Sequence, residues 1–107
     1  MFIQMRTAIV TEGSSDLVVQ RFSKEGIIEQ QDGFVDLSVM VKKARRGEEE
    51  VIIMIRWESE EKWKKWEKSE AHLAGHRKKA GQPKPDHIIR SESAYYHVKA
   101  VKEKAVE

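Results

Sequence analysis

Along residues 2–11 the side chains alternate with a period of two. Phe2, Gln4, Arg6, Ala8 and Val10 share one face, and Ile3, Met5, Thr7, Ile9 and Thr11 share the other, which predicts a strand. Glu12-Gly13-Ser14-Ser15 then reads as a turn with a hydroxyl N-cap, and Asp16 suits the first turn of a helix. Leu17, Val18, Arg21 and Phe22 recur at helical spacing up to the stop at Gly26, so residues 15–25 are expected to be helical. Asp32-Gly33 is a turn signal. Val35, Leu37, Val39 and Val41 predict a strand over 34–42, and the polar stretch 43–49 a hairpin loop. Residues 50–57, Glu-Val-Ile-Ile-Met-Ile-Arg-Trp, form the strongest strand signal in the chain.

Ser59 caps the next helix, with Glu60 and Glu61 in its first turn and Trp63 and Trp66 three apart on one face. Ser69-Glu70 is a second capping signal, so the helix is expected to break there and a shorter one to continue to about Lys79. Residues 80–92 contain Gly81, Pro83 and Pro85 and read as a long flexible loop, of a length that is often functional in so small a domain. Residues 93–101 are the last expected strand. The order βαββαβ is the ferredoxin-like plan of the α+β class, with an antiparallel sheet covered by helices on one face.

With 107 residues the expectation is a single domain over 1–107. Charged residues make up 36% of the chain, and one sheet face lacks enough helix to cover it. A homodimer would close two such faces into an α+β barrel. Twenty basic residues stand against 18 acidic ones, a balance that gives no support to nucleic-acid binding. There is no cysteine, which excludes disulfides, thiolate metal sites and cysteine nucleophiles. No apolar run reaches the roughly 18–20 residues of a membrane span, and the first residues do not read as a signal peptide, so a cytoplasmic protein is expected.

The segment from Trp57 to His76 holds all three tryptophans and two of the four histidines. Tryptophans at helical spacing usually belong to a core, and a histidine on an amphipathic helix is usually a surface or satisfied core residue. Gly75, between Ala74 and His76, changes the weighing. Glycine inside a helix costs roughly 1 kcal/mol against alanine and often marks the close approach of something large, such as a flat macrocycle. His72 and His76 share a helix face at a spacing that also occurs in zinc sites, but no third ligand lies nearby in sequence. Lys62, Lys64, Lys65 and Lys68 interleave with Glu60, Glu61 and Glu67 and read as a solvated face. Tyr95-Tyr96-His97 reads as packing or interface. No P-loop, dinucleotide fingerprint or serine elbow is present.

The segment Trp57-Glu58-Ser59…Trp63…Trp66-Glu67-Lys68-Ser69…Ala74-Gly75-His76 resembles the signature of IsdG-type haem-degrading monooxygenases, in which a tryptophan precedes a histidine by ten residues. Arg21-Phe22, Gly26-Ile27 and Gly33-Phe34 are similar to that family's first helix and second strand, and the likeness runs from Phe2 to Val101. The family belongs to the antibiotic biosynthesis monooxygenase superfamily of dimeric α+β barrels. The resemblance implies haem as both substrate and cofactor, dioxygen as oxidant, and an external electron donor delivered by a reductase. His76 would be the axial ligand of the iron and Trp66 would press the porphyrin out of plane. Gly75 would let the macrocycle approach, and Phe22 would line the distal side. Arg6 stands where the family has an asparagine that donates to the ligand on iron. Arginine brings five donors and a fixed charge to that place, and Gln4 two residues earlier carries the nearest amide. Two other activities fit the same residues: haem binding without turnover, and a cofactor-free monooxygenase of the same superfamily.

Overall fold

The protein is described by a computed structural model over residues 1–43, 46–82 and 85–106. Its elements run β1 (Phe2–Val10), α1 (Ser15–Ser23), a 3-10 turn (Ile28–Gln30), β2 (Phe34–Val41), β3 (Glu49–Trp57), α2 (Glu60–Glu67), α3 (Glu70–Lys79) and β4 (Ile88–His97). The four strands form one antiparallel sheet in the order β2-β3-β1-β4, the ferredoxin-like arrangement expected from the sequence.

The β1–β3 register places Phe2 opposite Trp57, Gln4 opposite Ile55, Arg6 opposite Ile53 and Ala8 opposite Val51. Those positions face the helices. Phe2, Ala8, Val10, Val51, Ile53, Ile55 and Trp57 are buried there with Val18 of α1, and Phe22, Phe34, Trp63 and Trp66 pack against them. The opposite face carries Ile3, Met5, Ile52, Met54, Met40 and Tyr96, with no helix over it. Asp36 and Arg56 pair across β2 and β3 on that face, and the guanidinium holds the Asp36 carboxyl below its usual range.

Several boundaries depart from the sequence pattern. β4 begins at Ile88 rather than at 93 and ends at His97 rather than at 101, so the connection from α3 spans residues 80–87 instead of 80–92. Pro83, Lys84 and the hairpin residues Ala44 and Arg45 lie outside the described residues. Residues 88–92 escaped notice because β4 is an edge strand, exposed along most of its length, and so has no clean alternation. It stops at His97 because its partner β1 stops at Phe2; the last ladder-like bond runs from Val98 N–H to Met1 O, 3.0 Å. Helix α1 ends at Ser23, ahead of the expected stop. Its N-cap Ser14 makes no capping bond; Glu49 at the start of β3 accepts from the Ser15 N–H at 3.0 Å, and that bond to the helix start lowers the Glu49 pKa.

The α2–α3 break falls where Ser59 and Ser69 predicted it. Ser59 accepts from the Lys62 N–H at 3.3 Å and Ser69 from the His72 N–H at 3.2 Å. Ser69 also donates its hydroxyl to the Trp66 carbonyl, 2.7 Å, so one side chain ties the end of α2 to the start of α3. No residue of α3 is buried. Among the described residues, no helix is long and apolar enough to cross a membrane.

Gly33 shows how tightly α2 lies against the turn before β2. Its φ is +85°, and a Cβ there would sit 2.4 Å from the Lys62 Cβ and Cγ atoms. Lys62 is held by an ion pair with Asp32, and the Gly33 carbonyl accepts from the Glu58 N–H at 2.8 Å. Gly33→Ala is expected to lower stability by about 2–4 kcal/mol through left-handed strain and overpacking, read as a fall in the urea midpoint. A variant as stable as the parent would show that the α2 contact is looser than described.

Candidate functional site

The capping bonds of Ser69 aim the first turn of α3 back towards Trp66. The His72 ring then meets the Trp66 ring edge-on, centroids 4.9 Å apart, and the His76 ring one turn later meets His72 at 4.4 Å. The Glu67 Oε2 and the His76 Nε2 both lie against the His72 Nε2, at 2.5 and 2.9 Å. Burial pushes the His72 pKa down; Glu67 opposes this and His76 adds to it.

The geometry orders the protons. An unprotonated His72 Nε2 would set two lone pairs together against Glu67, so the ring proton belongs on that nitrogen. It then has two acceptors, the Glu67 carboxylate and His76.

Trp66, Ala71, His72, Gly75, His76 and Lys79 line a hollow of about 180 Å³. A Cβ built on Gly75 would meet nothing within 4 Å, so the protein's own packing does not require glycine there, and the space above it is free. Among the described residues there is no group of three or more His, Asp or Glu side chains able to hold a metal ion.

The structure brings Trp66, Gly75 and His76 together but places Arg6 and Phe22 apart from them. Arg6 and Phe22 border a narrow cleft between β1 and α1, with Ala8, Val18, Ile53 and Ile88. Arg6 also lines a larger hollow of about 510 Å³ with Arg21, Lys79, Gln82, Pro85, Ile88 and Ser91. Lys79 borders both this hollow and the histidine one, so the two adjoin at the end of α3. Gln4 sits between Ile55 and Tyr95, and its amide oxygen is buried without a partner. Trp63 is committed to the core, its ring 5.0 Å from Phe2 and 4.8 Å from Tyr95.

Sequence reasoning gave no role to Glu67, which contacts His72, or to Lys79, which lines the hollow. Lys79 follows His76 by three residues and so shares its face, a readable signal. Glu67 was read as part of a solvated face, and its contact with His72 depends on how α3 turns back on α2.

A model of the family described as antibiotic biosynthesis monooxygenase matches residues 1–78. The chain is 57% identical over 103 residues to the haem-degrading monooxygenase HmoA of Bacillus subtilis, covering 96% of this chain and 95% of that protein. Among solved structures, a Bacillus cereus protein described as an antibiotic biosynthesis monooxygenase superposes with a TM-score of 0.87 at 57% identity, covering 99% of this chain and 98% of the other. The haem degrader MhuD of Mycobacterium tuberculosis, solved with two haems in its active site, shares the fold at a TM-score of 0.68 and 17% identity, covering 96% and 100% of the two chains. With a family model spanning most of its length and the matching sheet order, the chain belongs to the antibiotic biosynthesis monooxygenase family.

Proposed function

We propose that this protein is a haem-degrading monooxygenase that opens the porphyrin ring of haem with dioxygen and releases its iron. The observation that carries this reading is the hollow in which Trp66, the bare Gly75 and the His76 imidazole meet, in a chain 57% identical to HmoA. The residues fit the substrate. Imidazole nitrogen is a good axial ligand for haem iron, and an aromatic wall beside a glycine accommodates a flat ring. The histidine hollow alone, at about 180 Å³, is below the roughly 300–1,000 Å³ usual for ligand pockets, but the adjoining 510 Å³ hollow extends it.

Bound haem supplies the iron at which dioxygen is reduced and is itself the molecule oxidised. The electrons come from an external donor, since the sequence carries no nicotinamide or flavin motif. The chain's own residues bind and orient. His76 would hold the iron through an imidazole nitrogen, and an acceptor for its other ring nitrogen would raise ligand basicity. Trp66 would lie against the porphyrin, and His72 would remain paired with Glu67.

Adding haem to the purified protein is expected to give a Soret band characteristic of histidine ligation. In His76→Ala that band should shift or weaken and haem breakdown should cease, with the fold unchanged by circular dichroism. An unaltered spectrum would remove His76 from the site and leave His72 as the next ligand to test.

Gly75→Ala separates packing from function. Nothing in the protein occupies the space, so alanine should stabilise α3 by about 0.5–1 kcal/mol. Haem affinity should fall if the ring lies on Gly75. A variant both more stable and equally able to bind haem would place the ring elsewhere.

We also propose a homodimer formed through the helix-free sheet face, where Ile3, Met5, Ile52 and Met54 lie in the two central strands and Met40 and Tyr96 remain exposed. Light scattering should give twice 12.4 kDa at micromolar concentration; a 12.4 kDa species alone would contradict this.

A further inference from the structure

The ring contacts of the candidate site continue beyond it. His76 meets His72 at 4.4 Å between centroids, and His72 meets Trp66 at 4.9 Å. Trp66 and Trp63 stand three residues apart in α2, on neighbouring positions of one helix face, with Cβ atoms about 5–6 Å apart. The Trp63 ring then lies 4.8 Å from the Tyr95 ring of β4. Both tryptophans pack against the core, whereas Tyr95 is 47% exposed on an edge strand. One row of rings therefore leads from the His76 hollow through the protein to solvent.

The chemistry of the row changes along its length. After the sulfur side chains, indole and phenol are the groups from which an electron is most readily removed. The chain has no cysteine, and Met5, Met40 and Met54 lie on the helix-free face of the sheet. Phe2, which touches both Trp63 and Tyr95, is far harder to oxidise. The Trp63 indole N–H is buried with no hydrogen-bond partner among the described residues. Oxidised Trp63 thus has no group to take its proton, and a cation largely removed from water is unfavourable. The exposed Tyr95 phenol can release its proton to water as it gives up an electron, so the oxidising equivalent comes to rest there.

We propose that Trp66, Trp63 and Tyr95 form an electron-transfer row that discharges oxidising equivalents from the haem site at the protein surface. The proposal rests on the haem reading above and adds a second activity to it, a peroxidase-like reduction of hydrogen peroxide. Peroxide at the bound haem takes up two electrons and two protons, its O–O bond breaks, and two waters leave. Both electrons come out along the row, one after the other. Trp63 refills Trp66, Tyr95 refills Trp63, and each time Tyr95 releases one proton to solvent, which matches the two that peroxide takes up. A one-electron reductant of the ascorbate class restores one electron and one proton to Tyr95 after each passage.

The haem complex is mixed with hydrogen peroxide in the absence of reductant, freeze-quenched and read by electron paramagnetic resonance. The chain has two tyrosines, Tyr95 and Tyr96, and strand alternation turns Tyr96 to the helix-free face, so Tyr96→Phe is the control. The parent and Tyr96→Phe should show a tyrosyl radical signal that Tyr95→Phe lacks, and ascorbate should remove it. Trp63→Phe should lose the signal although Tyr95 is present. Soret bands check that each variant holds haem, and circular dichroism that it folds; the contrast between Tyr95→Phe and Tyr96→Phe decides even where Trp63→Phe does not fold. A parent that binds haem without forming a tyrosyl radical, or a signal that survives in Tyr95→Phe or in folded, haem-bound Trp63→Phe, overturns the row while the haem reading stands. If the parent gives no Soret band, the haem reading itself fails and takes the row with it.

Discussion

The pairing register of β1 against β3 is the constraint on which the rest of the molecule depends. With Phe2 opposite Trp57 and Ala8 opposite Val51, the side chains of both strands that build the core fall on the helix face, and Arg6 falls between them on the same side. Because the side-chain period is two, a slip of one residue would move Trp57 and Val51 to the bare face and carry Arg6 away from α1 and α3. The burial of Phe2, Val10, Val51 and Trp57 thus also fixes the place of a charged side chain at the rim of the candidate site. Each buried side chain of this size contributes about 1.5–3 kcal/mol, so the register is held far more strongly than any single polar contact could hold it.

The site itself is held differently. Helix α3 buries no residue, and its position relative to α2 is set by Ser69, whose hydroxyl serves both the Trp66 carbonyl and the His72 amide. A helix that contributes nothing to the core can stand clear of the sheet, and the hollows beneath its His76 and Lys79 follow from that. The polar groups around α3 pair with one another: Glu67 at the end of α2 with His72, His72 with His76, and Glu70 with Arg77. The Glu70–Arg77 pair is a surface contact of small worth. The buried apolar side chains are concentrated in the sheet and α1.

Much of this was legible in the sequence because it is local. The alternation of 2–10, the β-branched run of 51–55, and the serines at 59 and 69 each report on their own neighbourhood, and the elements they predict are the ones observed. The ten-residue interval from Trp66 to His76 spans two helices whose caps were readable, and both residues line one hollow. Features that depend on distant partners were not legible. Glu49 caps a helix 34 residues earlier in the chain, work that a serine hydroxyl of the preceding turn was expected to do. The edge strand β4 takes its limits from β1 rather than from its own Ile-Ile-Arg-Ser-Glu pattern. The union of Arg6, Arg21 and Lys79 exists only once β1, α1 and α3 are packed together.

These features make a chain whose core sets the sheet and whose last helix, burying no residue, carries an imidazole and an open glycine beside Trp66. The most direct test is aerobic turnover of the haem complex with ascorbate and a ferrous chelator, followed by absorbance and mass spectrometry. The account predicts loss of the Soret band, chelated iron in proportion to the haem consumed, and an open-chain tetrapyrrole. A Soret band that persists through the incubation, with no iron captured, would contradict it.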